Sequence, residues 1–128
     1  MIQAYFDEML QSLIVSHIVS SFKVLKQEIG DEEGFVRIKS ILSDDSILEF
    51  AEYVVALGSN VNVETYSYHW QKADGNLIKR WDNVPHHKEV DTFPHHLHLA
   101  DDKVIKSPQV TLKRVLAEIE KTLIIDDE

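Results

Sequence analysis

From Tyr5 to Ile29 the apolar positions Phe6, Met9, Leu10, Leu13, Ile18, Phe22, Leu25 and Ile29 recur close to helical spacing, and Gly30 stands where a helix would stop. The spacing predicts one long amphipathic helix. Its middle, Val15-Ser16-His17 and Val19-Ser20-Ser21, consists of indifferent helix formers, which allows a break there.

Beyond the Gly30 to Gly34 break the period changes to two, with Val36 and Ile38 on one side of a strand and Arg37 and Lys39 on the other. Ser43-Asp44-Asp45-Ser46 reads as a turn. The next strand, Ile47 to Leu57, is apolar on both faces apart from Glu49 and Glu52, and Gly58-Ser59-Asn60 closes it. A further strand, Val63 to Lys72, alternates Tyr66, Tyr68 and Trp70 with Thr65, Ser67, His69 and Gln71. Asp74-Gly75 then predicts a tight hairpin into a strand from Leu77 to Asn83, because glycine adopts positive φ without a Cβ penalty. With those two residues as the loop, Tyr68 lies opposite Trp81, His69 opposite Arg80, and Ser67 opposite Asp82.

After Pro85 the chain is irregular through Asp91. A short strand from Pro94 to Leu99 turns at Asp101-Asp102 into Lys103 to Lys106. Ser107-Pro108 reads as a helix entrance, with a capping hydroxyl and a proline that needs no donor. The closing helix runs to about Leu123, with Leu112, Val115, Leu116, Ile119 and Leu123 on one face. The expected class is α+β: an antiparallel β-sheet of four to six strands, with a long N-terminal helix and a C-terminal helix packed on one face.

Composition narrows this picture. A chain of 128 residues with 44% hydrophobic content supports a single α+β domain over 1–128, ending in an acidic tail at 126–128. The absence of cysteine removes disulfides, thiolate metal sites and cysteine nucleophiles, and fits a reducing compartment. Met1 to Glu8 has no basic leader, and Leu13-Ile14-Val15 is stopped at once by Ser16, so neither export nor a membrane span is expected and the cytoplasm is the expected location. The net charge of −9 argues against broad attraction to nucleic acid while leaving room for a local basic site.

Five of the seven histidines, His86, His87, His95, His96 and His98, crowd into one stretch. Histidine is the side chain whose ordinary pKa lies nearest neutrality, so a cluster can supply both a proton donor and a proton acceptor to one substrate. Metal-independent cleavage of a phosphodiester needs that pair, with Arg80 or Lys79 meeting the charge on phosphate. The strand pleat adds Ser67, His69, Arg80 and Asp82 as candidates to join the cluster on the open face. Each histidine taken singly is equally at home as a hydrogen-bonded or solvated ring.

His96 and His98, two apart on a strand, would also suit two ligands of zinc or another first-row metal, with a third from His86, His87, Asp82 or Glu89. No HExxH or cysteine pair supports that reading, so no cofactor is expected. Tyr66, Tyr68, Trp70 and Trp81 could stack nucleobases, but two amphipathic helices need a partner, and the aromatic face is expected to be core. His17, among apolar neighbours, is expected to be a packed or boundary residue.

Trp70, Arg80-Trp81-Asp82-Asn83, Pro85-His86-His87, Thr92-Phe93-Pro94-His95-His96 and His98, with a long helix before them and a Leu-rich helix after, together resemble the TumE-type toxins of toxin–antitoxin systems. The resemblance implies a small cytoplasmic growth inhibitor paired with a helix-turn-helix antitoxin from a neighbouring gene. The resemblance carries over neither target nor catalytic residues; the histidine cluster itself points to a toxin acting on RNA, with His95, His96 and His98 as proton-transfer candidates and His86, His87 and His69 beside them. Arg80 is the phosphate clamp and Asp82 the orienting acid. The alternatives are a non-catalytic protein that docks a partner through its histidine-rich surface, and a His-ligated metal protein. An open sheet has edges, so a homodimer through the first helix or an edge strand is a further expectation.

Overall fold

In a computed structural model that describes residues 1–126, nine elements follow one another as α1 (Ile2–Val15), β1 (Val19–Ile29), β2 (Glu33–Leu42), β3 (Ile47–Leu57), β4 (Asn60–Gln71), β5 (Leu77–Asp82), β6 (His96–Leu99), β7 (Val104–Lys106) and α2 (Leu112–Asp126). Beyond the Asp126 backbone, the expected acidic tail lies outside the described residues. The strands form one antiparallel sheet in sequence order, β1 to β7, so the sheet has seven strands where four to six were expected.

The largest departure is at the amino end, where the expected long helix stops at Val15 and the rest of its span is strand β1. Ile2, Phe6, Met9 and Leu13 supply a buried stripe for α1, but Leu25 and Ile29, which completed the helical spacing, are exposed. Val19, Phe22 and Val24 are the partly buried residues of β1. Two register irregularities, at Val19/Ser21 and Val24/Lys26, break the alternation of β1 and leave apolar positions three apart. Gly30 belongs to the β1–β2 turn, its amide donating to the Glu33 carbonyl at 2.8 Å. His17 is exposed in the α1–β1 link, not packed.

One face of the sheet is buried by both helices. It presents Val36 and Ile38 from β2, Leu48, Phe50 and Val54 from β3, Tyr66, Tyr68 and Trp70 from β4, and Trp81 from β5. Leu13, Val115 and Ile119 from the helices are fully shielded from solvent in the same cluster. The aromatic row is therefore core, with Tyr66, Tyr68, Trp70 and Trp81 each 3% exposed or less. Glu52 shares this face. Its carboxylate accepts from the Tyr5 hydroxyl at 2.5 Å and the Tyr68 hydroxyl at 2.6 Å, and burial raises its pKa while those two hydrogen bonds partly hold it down.

The β4–β5 hairpin has the expected register, Tyr68 opposite Trp81, His69 opposite Arg80 and Ser67 opposite Asp82. Its tip differs: Lys72 and Asn76 bond across Ala73-Asp74-Gly75, with Gly75 at φ 94°, and an irregularity between Trp70 and Gln71 absorbs the extra residue. Ser107 does not cap α2. Its hydroxyl donates to the Pro108 carbonyl, and the first turn of α2 is held by Thr111, whose hydroxyl accepts from the Arg114 amide at 3.3 Å. No helix among the described residues is long and apolar enough to cross a membrane.

Candidate functional site

The pleat that buries Trp81 turns its neighbours Arg80 and Asp82 to the opposite, helix-free face of the sheet. The β5–β6 register then sets His96 opposite Asp82 and His98 opposite Arg80, while β4 sets His69 opposite Arg80 on the other side. Three neighbouring strands thus bring together, in two cross-strand rows, five of the residues named from the sequence.

Asp82 is the hub. Its side chain is 3% exposed, and its two oxygens lie against four nitrogens. One oxygen accepts from the Val84 amide at 3.0 Å and faces His96 Nε2 at 2.9 Å; the other accepts from Arg80 Nε at 3.0 Å and faces His98 Nε2 at 3.2 Å. His96 is almost fully enclosed, whereas His98 keeps 26% of its side-chain surface. Nδ1 of His96 lies 2.9 Å from the Pro94 carbonyl, which can only accept, so that nitrogen carries a proton. Arg80 also donates through Nη1 to His69 Nδ1 at 3.2 Å, which leaves the His69 proton on Nε2, where it meets Gln71 Oε1 at 3.1 Å. The chain Gln71–His69–Arg80–Asp82–His96 and His98 is continuous across β4, β5 and β6.

The loop after β5 adds a third ring. His87 sets its edge against His96 and His98, with ring centroids 4.8 and 5.4 Å away, and its Nδ1 lies 3.2 Å from Glu89 Oε1. The loop is fixed from within: the Val90 amide donates to His87 O at 3.2 Å, Val90 is buried, and the Thr92 hydroxyl ties His95 O at 2.6 Å. Spacing alone gave no means of choosing His87 over His86, because which ring folds back depends on this loop. His86 is exposed and apart from the cluster.

His95 also stands apart, on the helix-facing side, where its ring stacks on Tyr66 at 5.8 Å and its Nδ1 shares a 2.9 Å hydrogen bond with the Tyr66 hydroxyl. Burial pushes the Tyr66 hydroxyl up to about 12, against the opposing effect of a hydrogen bond with the Val110 backbone. Burial lowers the pKa of His69, with Arg80 adding to the effect, and lowers that of His95, helped by His96. His98 is lowered by burial too, although the Asp82 carboxylate acts the other way.

Two residues missed in the sequence hold the site. Asn83, at the end of β5, accepts from the Tyr66 amide at 3.0 Å and donates to Glu64 O at 2.9 Å, occupying backbone groups of β4 beside its bulge. Gln71 orients His69. Beside the cluster the open face carries a shallow depression of about 300 Å³ lined by Arg37, Lys39, Glu49, Ser67, His69 and Arg80 among others. Of its three cationic side chains, Arg37 pairs with Glu49 at 3.2 Å and Arg80 with Asp82 at 3.0 Å, and Lys39 is the third. Chemically, the arrangement offers an anion pocket at Arg80 and His69 next to imidazoles anchored on a buried carboxylate.

Residues 7–123 match a family model described as the toxin TumE. No curated protein and no solved structure matches the chain.

Proposed function

Since the chain belongs to the TumE toxin family, and so to proteins that work against an antitoxin partner, we propose that it is a ribonuclease toxin whose centre is the Asp82 cluster on the open sheet face. The observation that carries this reading is the single buried carboxylate gathering Arg80, His96 and His98 at the rim of a cationic depression. Arg80, held by Asp82 on one side and His69 on the other, receives the phosphate and meets the charge that develops there. The imidazoles above Asp82 activate the attacking oxygen. Proton transfer by His98 and His96 is the simplest chemistry such rings perform, and His98, the more accessible of the two, faces the substrate.

Phosphates entering the depression meet Arg37, Lys39 and Arg80 before they meet the acidic remainder of the surface, which answers the objection raised by the net charge of −9. Our proposal places the protein in the cytoplasm, with a helix-turn-helix antitoxin encoded beside it as its partner. Growth of cells expressing the chain without that partner is the test. Wild-type protein is expected to arrest growth, and the paired change His96→Ala with His98→Ala, or Arg80→Ala alone, to restore it at equal protein level. Arrest that survives all of these changes would remove the Asp82 cluster from the mechanism.

A further inference from the structure

We propose that His87, His96 and His98 bind one divalent transition-metal ion beside Asp82. The binding stands on geometry alone; the ion's use rests on the ribonuclease reading above, in which a bound ion would activate the attacking oxygen in place of proton transfer by His96 and His98, since those rings would then be its ligands.

The first argument is the direction of the lone pairs. With its Nδ1 proton committed to the Pro94 carbonyl, a neutral His96 presents an unprotonated Nε2 to the cluster. His87 is arranged in the same way. Its Nδ1 donates to the Glu89 carboxylate, which leaves Nε2 free. A carbonyl and a carboxylate behind two imidazoles are the outer partners that fix the tautomer of metal-binding histidines.

The second argument is the crowding of acceptors. His96 Nε2 lies 2.9 Å from an oxygen of Asp82 and 3.1 Å from His98 Nε2, which itself lies 3.2 Å from the other Asp82 oxygen. Two imidazole nitrogens and both oxygens of one carboxylate thus converge on a single small space, a donor set that one cation could share. One ligand atom from each of His87, His96 and His98 lies within 4.8 Å of the others, wider than two metal–nitrogen bonds of about 2.0 Å span, so binding draws the rings closer together. The 3.1 Å between the two Nε2 atoms is close to the roughly 3.3 Å edge of a tetrahedron with metal–nitrogen bonds of about 2.0 Å.

The surroundings select the class of ion. Imidazoles with a neighbouring carboxylate favour zinc, nickel, cobalt or copper over magnesium and calcium, which prefer all-oxygen sites. Asp82 and Glu89 offset the ion's charge. Arg80, the nearest cation, is itself occupied by Asp82 and His69. His87 and His98 keep 30% and 26% of their side-chain surface, so the cluster opens to solvent on their side. A fourth position there would take water or a phosphate oxygen. Of the residues able to complete a site begun by His96 and His98, His86 is exposed, Glu89 acts behind His87, and Asp82 already holds the Val84 amide and Arg80, so the third ligand is His87.

The test uses full-length, untagged protein stripped with a chelator and titrated separately with Zn²⁺ and Co²⁺. Expected are one ion per chain, a visible absorption band from low-coordinate Co²⁺, and a raised thermal midpoint, since an ion that binds only the folded state stabilises it. His87→Ala and His98→Ala should each weaken uptake by at least about tenfold, while His86→Ala binds as wild type. His87→Ala changes a loop ring and is decisive even if replacing the enclosed His96 unfolds the chain. No uptake, or uptake unchanged in His87→Ala and His98→Ala, overturns the site. RNA cleaved by metal-free protein that takes up no ion defeats this inference and leaves the ribonuclease reading standing. An ion bound by protein that leaves RNA intact does the reverse.

Discussion

Replacing Asp82 with alanine probes the hub of the open face. The buried carboxylate faces Arg80 Nε, His96 Nε2, His98 Nε2 and the Val84 amide at 2.9 to 3.2 Å, and the four partners respond differently to its loss. Arg80 and His98, with 35% and 26% of their side-chain surface exposed, recover water and lose little. His96, 2% exposed, cannot. Stranding one enclosed polar group costs about 1–3 kcal/mol, and breaking a buried ion pair by removing one partner about 3–5 kcal/mol in all. Against a total stability of about 5–15 kcal/mol the change is severe without being fatal. With a urea dependence of about 2 kcal/mol per molar, the unfolding midpoint of Asp82→Ala should fall by roughly 2 M. The measurement is urea unfolding followed by tryptophan fluorescence, with chelator present so that no bound ion contributes. A loss below about 1 kcal/mol would show that Asp82 is not the enclosed anchor of these side chains.

Two further changes test the fold around the site. A Cβ at Gly34 would lie 2.6 Å from Ile2 Cγ2, 3.0 Å from Phe6 Cε2 and 3.1 Å from the Glu28 carbonyl, so Gly34→Ala must lift α1 off the sheet. It should lower stability by about 1–3 kcal/mol in urea unfolding; an unchanged midpoint would mean that α1 does not rest on Gly34. Glu52 has a pKa raised chiefly by burial, so its contribution to stability is greatest below its unfolded pKa and is lost as pH rises through the folded one. Glu52→Gln should therefore gain stability relative to wild type as pH rises above about 4, read as the difference of the two urea midpoints at each pH. A difference that moves the other way with pH would contradict a buried, proton-retaining Glu52.

Much of this architecture could be read from the order of residues. Alternation in Tyr66, Tyr68 and Trp70 and the Asp74-Gly75 turn located the β4–β5 hairpin and its register, because a half-buried sheet leaves no freedom to slip by one residue. The same register put Arg80 and Asp82 on the helix-free face. The amino end was opaque for a physical reason: irregularities in β1 place Phe22, Leu25 and Ile29 at spacings that a helix would also use, and only sheet pairing decides between them. Within the site, the spacing of His96 and His98 on one strand was visible, but the contribution of His87 was not, since it depends on a loop closed by Val90 and Thr92. His95 shows the converse. It is next to His96 in sequence, yet the pleat sends it to Tyr66 on the far side of the sheet.

The account turns on RNA being cut at the Asp82 cluster, and purified protein incubated with single-stranded RNA tests that most directly. Wild type should cleave the strand, while Arg80→Ala and His98→Ala, folded as judged by circular dichroism, should cleave it at least ~100-fold more slowly, the range expected for losing a charge-stabilising or proton-transferring group. Intact RNA after incubation with the wild type, or equal cleavage by the two variants, would contradict it.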